Sequence, residues 1–400
     1  MATSRRLVWR YYAFRVTNSA GFYVPVAILY LQDEGFGLDF VGLAYAVFSF
    51  AMVAAEIPTG YLGDWLGRRA SLALGSACRA VTLGAYPFVE SPLAYLGLHV
   101  LWATGWAFRS GTSDAWLYEL LAARFDESEY AHVEGRGSTA LLATSAVTAV
   151  AGGVLYGVDP TLPFLANAVL AALGLPILYT FPAVANDADE TFTVREAVEM
   201  LRLQASRPAV RWLVAYAALF QALFSVTRTL EQPALEAVGL PVAGLGLLYA
   251  GFKVVSASAA SAAGWFEDHL GVRRVFALLV PVYGLAYVGV ALAPLVVVPV
   301  LFLNRGLRVL TRPIRNQYLN DRLDDVGRAT VLSGASMMLS LAGGTAKLVG
   351  GWAAARTGPV GILPWAGVAT ACAGGLLWLA VSPVRSDEAA VDGETAVVSD

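Results

Sequence analysis

Residues 60–69 read Gly60-Tyr61-Leu62-Gly63-Asp64-Trp65-Leu66-Gly67-Arg68-Arg69, which sets an acid, glycines and an arginine pair between two long apolar segments. The stretch returns in altered form at Gly264-Trp265-Phe266-Glu267-Asp268-His269-Leu270-Gly271-Val272-Arg273-Arg274. Gly60, Asp64 and Gly67 recur as Gly264, Asp268 and Gly271, each displaced by 204 residues in a chain of 400, and Arg69 is near-matched by Arg273. Repetition at half the chain length marks an internal duplication.

The flanking segments are lipid-like. The chain is 57% hydrophobic and 14% charged, with a mean hydropathy of +0.61, whereas soluble domains carry about a quarter charged residues. Apolar runs of about 20 residues cross a bilayer core as helices, which satisfy their own backbone without water. Twelve such runs fall at approximately 10–32, 40–62, 70–89, 93–114, 138–158, 161–182, 210–232, 241–263, 274–293, 295–316, 329–352 and 360–381. The expected fold class is an all-α membrane protein whose twelve transmembrane helices form two pseudo-symmetric six-helix bundles. The bundles occupy 1–182 and 210–384, joined by a linker at 183–209 and followed by an acidic tail at 385–400 that is expected to be disordered. In the linker, Thr193 and Glu196 form a capping box ahead of an amphipathic stretch. That stretch reads either as a helix lying on the bundle or the headgroups, or as a solvated connector. Two further echoes link the halves: Arg136-Gly137-Ser138-Thr139 with Arg328-Ala329-Thr330, and Gly152-Gly153 with Gly350-Gly351, pairs that suit close helix contacts.

Arginines sort to alternate connections and the termini, among them Arg5, Arg6, Arg10, Arg68, Arg69, Arg124, Arg136, Arg273, Arg274, Arg322 and Arg385. The opposite loops carry Asp33, Glu34, Asp39, Glu90 and Asp159, with Arg356 the exception. The positive-inside rule therefore predicts a multi-pass protein of the cytoplasmic membrane with both termini cytoplasmic. No basic stripe points to nucleic acid, and Cys78 and Cys372 lie inside apolar spans. Metal-ligand spacing, a nucleotide-binding loop and a nucleophile with its base are all missing from the sequence, so neither a cofactor nor an enzymatic activity is expected.

Gly60, Leu62, Gly63, Asp64, Gly67, Arg68, Arg69 and Leu72 together resemble the loop motif of the major facilitator superfamily, found after its second helix, with Trp65 where relatives often carry a basic residue. Glu56-Ile57-Pro58-Thr59-Gly60 and Ser110-Gly111 with Ala115-Trp116-Leu117-Tyr118-Glu119 resemble a drug-efflux-like branch. The resemblance implies a secondary transporter that moves a small molecule by alternating access, here proton-coupled efflux of a drug-like or amphipathic compound. Uptake or exchange of an organic anion is the alternative, and a non-transporting receptor on the same scaffold is the reading from another class. Two positions depart from the drug/proton antiporters: Thr148-Ala149 stands where a glycine-proline pair is usual, and Ser113 where a glycine follows the helix-four arginine. Implied partners are the substrate, protons or another coupling ion, and membrane lipid, around a monomer.

The same resemblance implies a conformational latch formed by Gly60, Asp64, Gly67, Arg68, Arg69, Asp114 and, in the second copy, Asp268, with Asp64 capping the start of the eleventh helix. Physically, the glycines suit a tight turn, the arginines hold it at one membrane face, and an acid favours a helix N-terminus. The arginine pair alone also reads as a topology signal.

Arg15, Glu56, Arg79, Arg109, Asp114, Arg228, Glu231, Lys253, Arg305, Arg308 and Lys347 fall inside the spans, where each ionised group costs about 2.5–3.5 kcal/mol even on lenient insertion scales. By the resemblance, helices one, four, seven and ten line the cavity. The candidate substrate-binding residues are Arg15, Asn18, Arg109, Gln221, Arg228, Arg305 and Arg308, and the excess of cations suits an anion. Candidate proton-coupling acids are Glu56, Asp114 and Glu231. Arg15, Glu56, Arg109 and Asp114 are expected at one depth, close enough to pair. Any of these groups also reads as a structural salt bridge, a carbonyl cap or a snorkelling side chain.

Overall fold

The computed structural model describes residues 2–110, 112–124, 130–182, 208–322 and 328–384. The Thr193–Glu196 capping box, most of the linker, the acidic tail and the side chains of Asp64 and Asp114 lie outside the described residues. Every described element is helical: α1 Ala2–Thr17, α2 Ala27–Asp33, α3 Leu38–Leu66, α4 Arg68–Ala85, α5 Pro92–Ala107, α6 Thr112–Arg124, α7 Tyr130–Val158 and α8 Leu162–Tyr179. They continue as α9 Pro208–Ala237, α10 Val242–Leu292, α11 Val297–Asn320, α12 Arg328–Thr357 and α13 Ile362–Val381.

Among the described residues, seven helices are long and apolar enough to cross a membrane by length and composition. One of these, α10, has 51 residues, about 75 Å at the helical rise and far more than one crossing of roughly 30 Å. That is length enough for two crossings, and the helix bends at Gly271. The spans that miss the criterion are informative. α4 carries Arg68, Arg69 and Arg79, α12 is rich in glycine and serine and holds Lys347, and the first and fourth spans are each broken.

Both breaks correct the sequence expectation of continuous helices at 10–32 and 93–114. The first span stops at Thr17 and resumes at Ala27, with turns between; the fourth stops at Ala107 and resumes at Thr112. Apolar periodicity runs across both interruptions: in the first span, carbonyls freed by the break accept from other helices, and in the fourth the N–H groups of Arg109 and Ser110 donate locally to the Trp106 carbonyl.

The repeated motif also differs from a multi-glycine loop. α3 runs through Gly60 and Gly63 to Leu66, and the reversal falls on Gly67 alone, at φ 88 and ψ 153. Its N–H donates to the Gly63 carbonyl at 2.9 Å and its carbonyl accepts from the Ser71 N–H at 3.1 Å, so one residue closes α3 and opens α4. Gly271 has φ 73 and ψ 154 in the second copy. This region of backbone space is essentially restricted to glycine, so the duplication conserves the bend itself.

Contacts gather the chain into two compact units, one comprising described residues of Met1–Glu190 and Gly239–Lys253, the other those of Thr191–Val238 and Val254–Asp400. In the first, Trp116 is 1% exposed and meets Phe14 and Phe181 edge-on at 5.9 and 4.8 Å, in a core shared with Tyr11, Leu72 and Leu178. The first turns of α10 join this unit through Gly246, where a Cβ would stand 2.3 Å from the Ala149 carbonyl oxygen. In the second unit, α9 packs chiefly along α12, and a Cβ on Gly350 would meet Val226 at 2.9 Å.

Candidate functional site

In the first unit the site is built on the broken first span. Thr17, Asn18 and Ser19 are buried, so the carbonyls released by the break need donors. Arg79 of α4, 4% exposed, donates to the Asn18 carbonyl at 2.9 Å and to that of Thr17. Asn167 of α8 donates to the Ser19 carbonyl at 3.1 Å. The Ser19 hydroxyl meets those of Thr148 at 2.9 Å and Ser145 at 3.3 Å on α7. Gly152 admits this irregular backbone: a Cβ there would lie 2.0 Å from the Phe22 carbonyl oxygen. The glycine pair expected to bring helices together thus receives an unwound segment. Thr148 and Ala149, noted as a departure, supply a hydroxyl to Ser19 and the contact with Gly246.

Arg15 lies one turn before the break. Its guanidinium pairs with Glu134 of α7 at 3.0 Å and bonds the Ser138 hydroxyl at 2.8 Å, while the Tyr11 hydroxyl donates to the other Glu134 oxygen. The described acid partner of Arg15 is thus Glu134, which was not among the four groups expected to pair, and the side chain of Asp114 lies outside the described residues. The sequence reading missed Glu134 because it precedes the fifth apolar run. The available signal was helical spacing, since Tyr11 and Arg15 share a face of α1 and Glu134 and Ser138 a face of α7.

Arg109 stands at the break of the fourth span. Its methylenes pack so close to Gly75 that a Cβ there would fall 2.4 Å from its Cγ, and its buried Nε has no hydrogen-bond partner among the described residues. Among the described residues, the charges of Arg79 and Arg15 act on it. Asn18 donates and accepts through its backbone, and its buried Oδ1 has no described partner. Glu56 is half-buried on α3 with no described cation beside it.

In the second unit α9 and α11 meet around Glu231, which is 2% exposed. It accepts from Arg228 at 2.9 Å, and both its oxygens accept from Arg305 at 2.8 and 3.1 Å. Arg308, one turn beyond Arg305, lies 3.8 Å over the Phe224 ring. Gln221 donates to the Ser225 hydroxyl at 3.2 Å. Behind the cluster, Asn304 donates to the Tyr287 hydroxyl at 2.7 Å and accepts from that of Tyr283 at 3.1 Å, and Tyr287 also bonds Thr227. This chain fixes the rotation of α11 one residue before Arg305. Neither Phe224 nor Lys347, which lies within electrostatic reach of Arg308 and Arg228, was singled out as a site residue from sequence.

At the motif, Arg68 pairs with Glu119 of α6 at 3.2 Å and Arg69 donates to the Phe181 carbonyl at 2.8 Å. Gly60 faces open space. In the second copy Asp268 is exposed, and its neighbour Glu267 has its pKa raised by partial burial and by the charges of Asp268 and Asp321. The two copies share a bend but differ in charge.

The order of helices, the paired bends and the charged first, fourth, seventh and tenth spans can be set against known proteins. Residues 12–345 match the model of the Major Facilitator Superfamily. The chain belongs to the Major Facilitator Superfamily. Among curated relatives, an uncharacterized MFS-type transporter of Bacillus subtilis (strain 168), YxaM, is 22% identical over 60% of this chain and 61% of its own length. A second, MJ1560 of Methanocaldococcus jannaschii, is 25% identical over 42% of each chain. The matched region thus spans less than two thirds of either relative.

Among solved structures, a mutant of the nucleoside transporter NupG superposes with a TM-score of 0.76 at 13% identity, over 94% of this chain and 98% of that one. A D-xylose-proton symporter gives 0.70 at 12% identity, over 94% and 97%. At such identities the likeness is one of fold: twelve helices in two domains. This superfamily member is a multi-pass membrane protein.

Proposed function

We propose that the protein carries a small organic anion across the cytoplasmic membrane by alternating access, with both termini inside. Arg308 carries this reading. Its guanidinium rests on a phenyl ring in a membrane helix, and Arg305, Arg312, Arg315, Arg228 and Lys347 lie within electrostatic reach of it. A cationic amphipathic drug would meet repulsion there, whereas a carboxylate or phosphate finds planar donors. Efflux of drug-like compounds rests on the Glu56–Gly60 and Ser110–Glu119 segments, and neither carries the charge of this cluster.

A thermal-unfolding screen of the purified transporter tests the anion reading. Organic anions are expected to raise the unfolding temperature, and tetraphenylphosphonium to leave it unchanged. Stabilisation by the lipophilic cation alone would reverse the assignment.

Glu56 favours proton coupling. A carboxylate without a described counter-ion in a membrane helix can be neutralised by a proton and released at the other face, while Glu231 is occupied by two arginines. Glu56→Gln is expected to abolish accumulation driven by a pH gradient in proteoliposomes while sparing exchange of labelled for unlabelled substrate. Gradient-driven accumulation at the wild-type level would exclude Glu56 as the proton carrier.

The latch is proposed at Asp64, beside the Gly67 bend and the anchored Arg68 and Arg69. Asp64→Asn is expected to reduce transport about tenfold or more, equivalent to roughly 1.4 kcal/mol of bias between conformations, with the unfolding temperature retained. Undiminished flux would remove Asp64 from that role.

A further inference from the structure

From its middle to its C-terminal end α11 carries Arg305, Arg308, Arg312 and Arg315, spaced three, four and three residues apart. At 3.6 residues per turn they fall within an arc of about 80° and descend about 15 Å along the axis, so they form one stripe. The preceding turns, from Val297 to Asn304, hold no charged residue. The helix is therefore cationic towards one end only.

The stripe is open along its length. Arg308 and Arg312 are exposed, and Arg305 and Arg315 partly so. Arg308 leans on Phe224, while Arg315 donates to the neutral amide oxygen of Asn316 at 3.3 and 3.0 Å. Arg312 and Arg315 lie within electrostatic reach of Arg308 and of one another, and Arg228 and Lys347 add to the positive field at the mid-membrane end. Asp321, at the C-terminal cap of α11, stands nine residues beyond Arg312 and so on the opposite face. An exposed arginine halfway along a membrane helix has to face water, since an ionised group in lipid is costly. Arg308 thus marks a wet path, and Arg312 and Arg315 continue it to the end of the helix. A path lined by one sign of charge between low-dielectric walls concentrates counter-ions.

We infer that Arg312 and Arg315 form an electrostatic funnel that gathers the organic anion at the cytoplasmic mouth and delivers it to Arg308. The inference rests on the anion reading and the topology proposed above, and it adds a sidedness: the anion is captured at lower concentration from the cytoplasmic face. Arg312 and Arg315 lie about 6 and 10 Å along the axis from Arg308, comparable with the screening length of about 8–10 Å near physiological ionic strength. The funnel acts through charge at a distance, so it is weakened by salt and tolerates lysine.

The test is initial-rate uptake of labelled succinate into inside-out vesicles, whose cytoplasmic face meets the medium, and into right-side-out vesicles, at ionic strengths of about 0.01 and 0.15 M. In inside-out vesicles at the lower ionic strength, Arg312→Gln with Arg315→Gln is expected to raise the half-saturating concentration about tenfold. The difference from wild type should shrink to about twofold or less at the higher one, and right-side-out vesicles should show none. Arg312→Lys with Arg315→Lys should stay close to wild type, which separates loss of charge from a folding defect. The same loss of affinity should appear in a thermal-unfolding titration of the purified full-length protein with succinate in lipid-free detergent at low ionic strength. A loss confined to the vesicles would assign the two arginines to lipid headgroups and overturn the funnel. So would an unchanged half-saturation in the glutamine variant, or an equal rise from both faces, with the site at Arg308 left in place. No uptake and no stabilisation by succinate in wild type would overturn the anion reading itself, and the funnel with it.

Discussion

Glu231→Gln is expected to destabilise the transporter by about 3–5 kcal/mol, the range found when one partner of a buried ion pair is removed. The carboxylate is 2% exposed and receives hydrogen bonds from two arginines. The amide retains one acceptor oxygen, cannot offset either charge, and turns an N–H₂ donor towards two other donors. The loss should appear as a lower unfolding temperature in detergent. It should be partly restored by the double variant Glu231→Gln with Arg228→Gln, which removes one of the orphaned cations. It should also be offset by bound organic anion, since the ligand then supplies the missing charge. Wild-type stability in Glu231→Gln, with no gain in the double variant, would show that the cluster is not held by this acid.

Arg79→Ala should have a comparable effect in the other half. Arg79 is 4% exposed and donates to the carbonyls of Thr17 and Asn18. Each acceptor left unsatisfied costs about 1–3 kcal/mol, so the variant should lose roughly 2–6 kcal/mol, concentrated where the first span is unwound. Amide exchange at residues 18–26 should rise well before the protein unfolds globally. Unchanged protection there would mean that Asn167, Ser145 and Thr148 suffice to hold the break. In transporters of this kind, irregular backbone at membrane depth is tolerated where protein groups satisfy it, and it commonly lines the substrate path. The protein therefore spends a buried arginine on keeping the first span open.

These two residues also show what could be read from the chain. Spans and duplication were legible because lipid imposes a long apolar run on every crossing and the bend at Gly67 recurs at Gly271. Even the grouping of charges on the first, fourth, seventh and tenth helices was visible as positions. Their partners were not. Glu134 lies outside its apolar run and pairs across 119 residues with Arg15, and the acceptors of Arg79 are backbone carbonyls, which leave no trace in residue identity. The break at 18–26 was hidden for the same reason, since Arg79 and Asn167 supply hydrogen bonds to its start from other helices, and its Pro25 was lost among the prolines that membrane helices tolerate. The motif misled in one respect: three glycines suggested a loop, yet two of them are helical and a single residue makes the turn.

The central claim is that this superfamily member moves an anion through a site centred on Arg308. Charge displacement measured on proteoliposomes adsorbed to a solid-supported membrane tests it most directly. A jump in succinate or glycerol phosphate is expected to give a transient current with wild type and none with Arg308→Gln of equal stability. No current from either anion, together with a current from tetraphenylphosphonium that persists in Arg308→Gln, would contradict the account.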